Sequence, residues 1–88
     1  MYKIKNYTLE KAQQLGVLVK PSSNKNKKLD VYKNGKKVVS IGDIHFKDYP
    51  TYMQLNGQVY ADERRRLYNI RHKKDKGTAG FYASKLLW

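Results

Sequence analysis

The stretch Leu-Asp-Val-Tyr-Lys-Asn-Gly-Lys-Lys-Val-Val-Ser-Ile-Gly, residues 29–42, predicts a β-hairpin around which the fold is organised. Asn34-Gly35 lies between two runs in which apolar and polar residues alternate. This pair is preferred in two-residue type I′ turns because both turn positions need a positive φ. We therefore expect a small, mainly antiparallel sheet centred on this hairpin.

A turn at Asn34-Gly35 also predicts which residues of the two strands face each other. The expected cross-strand pairs are Val31 with Val38, Leu29 with Ser40, and Tyr32 with Lys37. One face of the hairpin would then carry Leu29, Val31 and Val38, and the other Tyr32, Val39 and Ile41. The lysines expected to be exposed at the tip are Lys33, Lys36 and Lys37.

The residues before the hairpin predict a strand, a helix, a second strand and a loop. Residues 2–5 alternate with period two, which is typical of a short strand. Thr8 is a candidate N-cap, and Gly16 is placed to end a short helix. Residues 17–19 predict an edge strand, whereas residues 21–28 contain no apolar side chain and predict a mobile basic loop. The inward stripe of the helix is expected to be Leu9, Ala12 and Leu15.

Two further segments follow the hairpin. Residues 43–52 predict a linker, because Pro50 is incompatible with the middle of a strand. The glycines of residues 77–80 are expected to break the preceding helix, and residues 81–88 are apolar enough to form a short helix docked on the chain's own core. The linker side chains expected to be buried are Ile44, Phe46, Tyr49 and Tyr52.

Residues 60–76 are the strongest helix candidate and hold a large share of the positive charge. At 100° per residue, Tyr60, Leu67 and Ile70 fall on one side, flanked by Ala61 and Tyr68. The opposite side is expected to present four residues to an anion: Arg65, His72, Lys73 and Lys76. Arg64 and Arg71 lie on the Leu67 side. They are expected to form structural ion pairs with Asp43 and Asp48.

These elements predict an α+β fold, with residues 1–88 as a single domain. One long basic helix and short N- and C-terminal helices would pack the antiparallel sheet. The chain is long enough for one modest hydrophobic core.

The charge balance points to an anionic partner. The chain has 19 Lys and Arg against 7 Asp and Glu, a formal net charge of +12. Folding does not require such an excess, and a polyanion would relieve the self-repulsion that it causes. The absence of cysteine excludes disulfides and thiolate zinc sites. No run of about 18 apolar residues predicts a membrane span, so we expect a soluble intracellular protein, in the cytoplasm or the nucleus.

Catalytic arrangements are weakly indicated. Asp43, His45 and Asp48 offer metal-binding side chains within one loop, but ligands must converge in space and this spacing does not ensure it. Two other arrangements are a tyrosine nucleophile beside basic residues and His72 as a general base. A chain this rich in tyrosine and basic residues contains such combinations by chance. We therefore predict a protein that is not an enzyme and has no catalytic residue, metal site or cofactor.

A set of short motifs spread over nearly the whole chain carries a resemblance. The motifs are Leu15-Gly16-Val17, Val19-Lys20-Pro21-Ser22, Lys28-Leu29-Asp30-Val31-Tyr32-Lys33, Gly35-Lys36-Lys37, Ser40-Ile41-Gly42-Asp43, Asp48-Tyr49-Pro50-Thr51-Tyr52, Arg64-Arg65-Arg66-Leu67-Tyr68, Arg71-His72-Lys73-Lys74-Asp75, Gly80-Phe81-Tyr82-Ala83 and Leu86-Leu87-Trp88. Their order and spacing resemble a family of small basic proteins of large double-stranded DNA viruses and related environmental viral genomes. The chain departs from that pattern at residues 75–79. The family has no assigned activity, so the resemblance implies a viral origin and no catalytic residues.

The leading functional hypothesis is sequence-independent binding of nucleic acid, DNA or RNA, by a genome-associated protein. The expected phosphate contacts are Lys33, Lys36, Lys37, Arg65, His72, Lys73 and Lys76. An alternative is a minor virion component that cements an acidic viral protein surface through basic and aromatic contacts. A metal-dependent nuclease is a more remote alternative.

Overall fold

The computed structural model describes residues 2–74 and 77–88, and this part of the chain forms three strands and four helices. The sheet is antiparallel with strand order β1-β2-β3. The predicted α+β class with a central β2–β3 hairpin is confirmed. The elements are α1 (Asn6–Leu15), β1 (Leu18–Pro21), β2 (Lys27–Lys33), β3 (Lys36–Asp43), α2 (Tyr49–Asn56), α3 (Gln58–Arg71) and α4 (Thr78–Leu86).

The hairpin turn has the predicted backbone conformation. Asn34 has φ 54° and Gly35 has φ 78°, as a type I′ turn requires. Tyr32 lies opposite Lys37, also as predicted.

A β-bulge changes the register beyond that pair. The irregularity between Val31 and Tyr32 places Val31 opposite Val39, and Leu29 opposite Ile41. The predicted pairings with Val38 and Ser40 are therefore wrong, because β3 carries one extra residue and a shift by one residue exchanges the faces of a strand. Leu29, Val31 and Ile41 form the centre of the core, while 40% of the Val38 surface is exposed.

The N-terminal segment differs from the prediction. Residues 2–5 form no strand, and the Tyr2 hydroxyl donates to the Asp48 carboxylate over 2.6 Å. Helix α1 begins at Asn6 rather than after Thr8. Thr8 is fully buried and its hydroxyl donates to the Leu86 carbonyl, so a residue predicted as a cap connects α1 to α4. The predicted helix end is confirmed by Gly16, which has φ 72°, whereas Leu9 is exposed.

Strand β1 lies at the sheet edge, as predicted. Pro21 belongs to this strand, and Lys27 and Lys28 belong to β2, so the connection is residues 22–26 rather than the predicted 21–28. Lys28 is buried because its ammonium pairs with Asp48 at 2.9 Å.

Helix α2 begins within residues 43–52, the segment predicted as a linker. The Asp48 carboxylate accepts hydrogen bonds from the Thr51 amide and hydroxyl, which caps the helix, and Pro50 occupies its first turn, where a missing N–H costs nothing. Tyr49 is buried as expected. Phe46, however, is 70% exposed and Ile44 is also exposed, so their predicted burial is wrong.

Helix α3 buries the flank of the predicted apolar side rather than its centre. Ala61 and Tyr68 are its buried apolar residues, whereas Tyr60 and Ile70 are exposed. The reason is that α3 packs chiefly against α2, and the Tyr68 ring stacks on Trp88 at 4.5 Å.

Helix α4 lies on β3 and contacts α1. It begins at Thr78 and includes Gly80, whereas α3 ends at Arg71 rather than at residue 76, so the predicted helix break at residues 77–80 is wrong. Three hydrogen bonds from α1 and α2 hold its C-terminal end, and the predicted docking of the C-terminal segment on the chain's own core is confirmed. The carbonyl acceptors and their donors are Leu86 with the Thr8 hydroxyl, Leu87 with the Tyr49 amide, and Trp88 with the Tyr7 hydroxyl.

A small residue is required where β3 meets this segment. Gly42 has φ 80°, and a Cβ there would lie 2.7 Å from the Leu87 side chain. Close contact at Gly42 lets the end of β3 and the end of α4 form one wall.

No helix in residues 2–74 and 77–88 is long and apolar enough to cross a bilayer.

Candidate nucleic-acid interface

An open cleft of about 460 Å³ lies where the end of β3, the loop before α2, the second half of α3 and helix α4 meet. Among residues 2–74 and 77–88, six basic side chains line it, and we call it the basic cleft. These are Lys27, Lys28, Lys47, Arg64, Arg71 and His72. Asp43 is the acidic residue that these ranges contribute to its lining.

Aromatic rings form much of the remaining lining. Tyr68 and Trp88 stack nearly parallel, with 11° between their planes, and His72 stacks on Tyr68 at 4.3 Å. Tyr52 lies 6.2 Å from Trp88. Phe46 lies on the loop before α2 and also lines the cleft. The site thus combines cations with flat apolar surfaces.

Arg64 links these two features. Its guanidinium lies 5.4 Å above the centre of the Tyr52 ring, a distance at which cation–π attraction operates. The Arg64 Nε atom is buried and has no hydrogen-bond partner among the described residues. The ring therefore positions the guanidinium, and some of its hydrogen-bonding capacity remains unused.

The small residues of α4 leave space for the cleft. Ala79, Gly80 and Ala83 line one wall. Larger side chains at these positions would fill the space between α4 and α3.

The wall behind the cleft contains a buried ion pair. Lys28 and Asp48 have side chains that are 5% and 1% exposed, and their charged atoms lie 2.9 Å apart. Burial raises the pKa of Asp48, but hydrogen bonds from Thr51 and Tyr2 and the Lys28 charge outweigh it and lower the pKa below its ordinary value. The Lys28 charge is thus largely neutralised within the protein.

The structure distributes the predicted phosphate-binding residues over several surfaces. His72 lies in the basic cleft, and Lys73 lines a neighbouring cleft between α3 and α4. Arg65 packs inward: its guanidinium lies 3.6 Å from the centre of the Tyr49 ring and donates to the Tyr7 hydroxyl. Its predicted position on the solvent side of α3 is wrong. Arg65 is four residues after Ala61 and three before Tyr68, so it lies on the same side of the helix as these buried residues. Lys76 lies outside the described residues.

The hairpin lysines lie away from the basic cleft. Lys36 begins β3 and Gly42 is near its other end, so about 20 Å of strand separates the tip from the cleft. Lys37 faces the buried carboxylate of Asp30 at 3.6 Å, while Lys33 and Lys36 are exposed. The structure does not bring the tip lysines together with His72.

The predicted structural ion pairs have different partners. Arg64 and Arg71 both line the basic cleft, and Asp48 pairs with Lys28 instead. The Asp43 carboxylate forms hydrogen bonds with the backbone amide and the ring of His45. These bonds lower the pKa of Asp43.

Asp43, His45 and Asp48 do not converge on a metal-binding arrangement. Asp43 ends β3 and His45 lies in the exposed turn that follows, whereas Asp48 is buried against Lys28. Among residues 2–74 and 77–88, no three His, Cys, Asp or Glu side chains are grouped to hold a metal ion.

Sequence reasoning misses three contributors to the cleft. It predicts a loop at Lys27, does not single out Lys47, and expects Phe46 in the core. A signal for these residues is present in the sequence. Phe46 and Lys47 are neighbours in a short segment between a strand and Pro50, and such loops lie on the surface and often carry function.

Comparison of this chain with family models, curated proteins and solved structures gives no match.

Proposed function

We propose that this protein binds nucleic acid without sequence specificity, through phosphate contacts in the basic cleft, and that it does so without catalysis. The observation that carries the proposal is the convergence of six basic residues from β2, the α2 loop and α3 on one concave surface. Basic residues outnumber Asp43 in the lining, and a concave surface whose charge is mainly of one sign concentrates its field, which attracts a polyanion.

Four of the basic residues of the cleft form no ion pair within the described part of the chain. Lys27, Lys47, Arg64 and Arg71 have no carboxylate within 4 Å among residues 2–74 and 77–88, in contrast to Lys28. Lys47 and Arg71 are also exposed. These side chains are available to replace the counterions of a phosphate backbone.

The absence of sequence reading follows from the type of contact. Lysine and arginine contacts to phosphate position a protein on a nucleic acid but carry no sequence information. A genome-associated role fits such contacts and the viral origin that the sequence motifs suggest.

The test compares two double variants that each remove two exposed positive charges. Lys47→Ala/Arg71→Ala changes the basic cleft, and Lys33→Ala/Lys36→Ala changes the hairpin tip. Fluorescence anisotropy with a labelled oligonucleotide, measured over a range of salt concentrations, gives the slope of log K against log salt. The slope should weaken in the cleft variant by about 0.7–0.9 for each phosphate that the protein no longer neutralises.

The tip variant is the matched control and should retain most of the wild-type slope and affinity. A larger loss of affinity in the tip variant than in the cleft variant would refute the assignment to the cleft. Absence of salt-dependent binding by the wild-type protein at low ionic strength would refute nucleic-acid binding altogether.

That last outcome would favour the alternative of a minor virion component. A specific observation supports this second candidate: Leu55 is 62% exposed and Val59 is 88% exposed, close together at the turn between α2 and α3. Exposed apolar residues of this kind are typical anchors in a neighbouring protein.

A further inference from the structure

We propose that the ligand of the basic cleft is single-stranded nucleic acid, with an unpaired base placed against Phe46. This assignment rests on the proposed function and specifies its substrate class. It is carried by an exposed aromatic ring, the shape of the cleft and the unused donors of Arg64.

Phe46 is the most exposed aromatic ring in the described part of the chain, at 70%. The next are Tyr60 and Phe81, each at 47%. No other aromatic ring among the described residues packs against Phe46. Its apolar faces are thus open to a flat ligand at the edge of a cationic surface.

The neighbouring rings are arranged differently. Tyr68 is enclosed between Trp88 and His72, and Tyr52 is covered by Arg64. Their faces are largely occupied by contacts within the protein. Phe46 is therefore the aromatic residue of the cleft that is best placed to accept a new stacking partner.

The cleft suits one base rather than a double helix. Its volume of about 460 Å³ lies within the range of small-ligand sites. In a duplex, the base faces are stacked and only the base edges are reachable from the grooves. Stacking on a protein ring therefore requires a base that is unpaired, as in single-stranded segments.

Arg64 provides polar contacts beside this surface. Its Nε is buried and out of reach of a ligand, but the guanidinium carries further N–H groups in a planar fork. Such a fork binds either a phosphate or the acceptors on a base edge. Cations that follow the backbone, combined with an aromatic ring for the bases, are the general pattern of single-strand binding.

The experiment uses three ligands of equal length: a single-stranded oligothymidylate, an abasic strand with the same phosphates, and a blunt duplex. At one salt concentration, loss of base stacking should weaken binding of the abasic strand by about 5- to 150-fold relative to oligothymidylate. The duplex should also bind more weakly per phosphate than oligothymidylate.

The variant Phe46→Ala should lower the affinity for oligothymidylate by a factor in the same range. It should leave the salt slope and the binding of the abasic strand unchanged, because the phosphate contacts remain. Phe46→Tyr should restore most of the affinity. Phe46 is exposed, so circular dichroism and thermal unfolding of Phe46→Ala should match the wild type.

Phe81→Ala is the matched control, since Phe81 is the chain's other phenylalanine, is exposed and lies outside the basic cleft. It should bind oligothymidylate like the wild type. Equal affinities for the abasic strand and oligothymidylate, with salt-dependent binding retained, would refute the single-strand proposal and leave the proposed function standing. Loss of salt-dependent binding to all three ligands would refute both.

Discussion

Asp30 and Asp48 are both buried carboxylates, and different groups hold each of them in the charged form. Asp30 on β2 accepts hydrogen bonds from the Ser22 and Ser40 hydroxyls, each over 2.6 Å, and from the Ser23 amide. Asp48 accepts hydrogen bonds from the Thr51 and Tyr2 hydroxyls and pairs with the buried Lys28 ammonium. Asp30 thus stabilises the sheet and the 22–26 connection through hydroxyl and amide donors, with Lys37 at its edge.

The pKa of Asp30 predicts a defined loss of stability in acid. Burial raises this pKa, but the hydrogen bonds from Ser22, Ser40 and Ser23 outweigh burial and lower the pKa from 3.8 to about 2. The unfolded chain therefore binds a proton first as the pH falls. The contribution of Asp30 is fully present above about pH 4 and is lost as the pH falls from about 4 towards 2.

In urea unfolding, Asp30→Asn should lower the free energy of unfolding at neutral pH by about 1–3 kcal/mol, because buried donors lose a charged acceptor. The variant should also lose less stability than the wild type between pH 4 and 2. The control Glu10→Gln removes an exposed carboxylate and should keep the wild-type pH dependence. Identical pH profiles for Asp30→Asn and the wild type would contradict the role of Asp30.

At the scale of elements, α2 connects the sheet to α3. Its N-cap Asp48 binds Lys28 of β2 and the Tyr2 hydroxyl, and the Tyr49 amide binds the Leu87 carbonyl. The position of α2 therefore depends on contacts with three other segments. Because α3 packs on α2, the geometry of the basic cleft depends on the same contacts.

The variant Asp48→Asn should destabilise the whole domain. It leaves the buried Lys28 ammonium without its counter-charge, and breaking a buried pair in this way costs about 3–5 kcal/mol. Urea unfolding followed by circular dichroism measures the change. The control Glu63→Gln breaks the exposed pair with Arg66 on α3 and should change the free energy of unfolding little. Equal effects of the two variants would contradict a structural role for the buried pair.

Across the whole molecule, the excess of positive charge is divided among surfaces. The hairpin tip, the basic cleft and the neighbouring cleft beside Lys73 each hold part of it. The net charge of +12 acts on the compact state as self-repulsion, whichever surface binds a ligand.

Thermal unfolding without nucleic acid should therefore show stabilisation by salt. The Debye length falls from about 30 Å at 0.01 M to about 8 Å at 0.15 M, so sodium chloride in this range screens the repulsion. Each 1 kcal/mol of relief should raise the Tm by about 4–8 °C. The control Lys33→Ala/Lys36→Ala carries less charge and should show a smaller rise. A Tm that falls with salt would contradict this expectation.

The sequence predicted well those features that depend on neighbouring residues. The Asn34-Gly35 turn, the end of α1 at Gly16 and the docked C-terminal helix follow from local backbone preferences and from apolar composition. The fold class follows from the order of such elements. Each of these features depends on residues that are close together in the chain, so a local pattern in the sequence is enough to predict it.

The tertiary structure decided which faces and side chains meet. The bulge in β3 moved Val38 outward, packing on α2 turned Arg65 inward, and the exposed loop placed Phe46 at the cleft. Such outcomes depend on partners far apart in sequence: 46 residues separate Tyr2 from Asp48, and 78 separate Thr8 from Leu86. Helical and strand periodicities define possible faces, but the energy of burial against these distant partners selects among them. By itself the sequence determined that the chain is basic and has a hairpin, and only the packed structure determined where its cations converge.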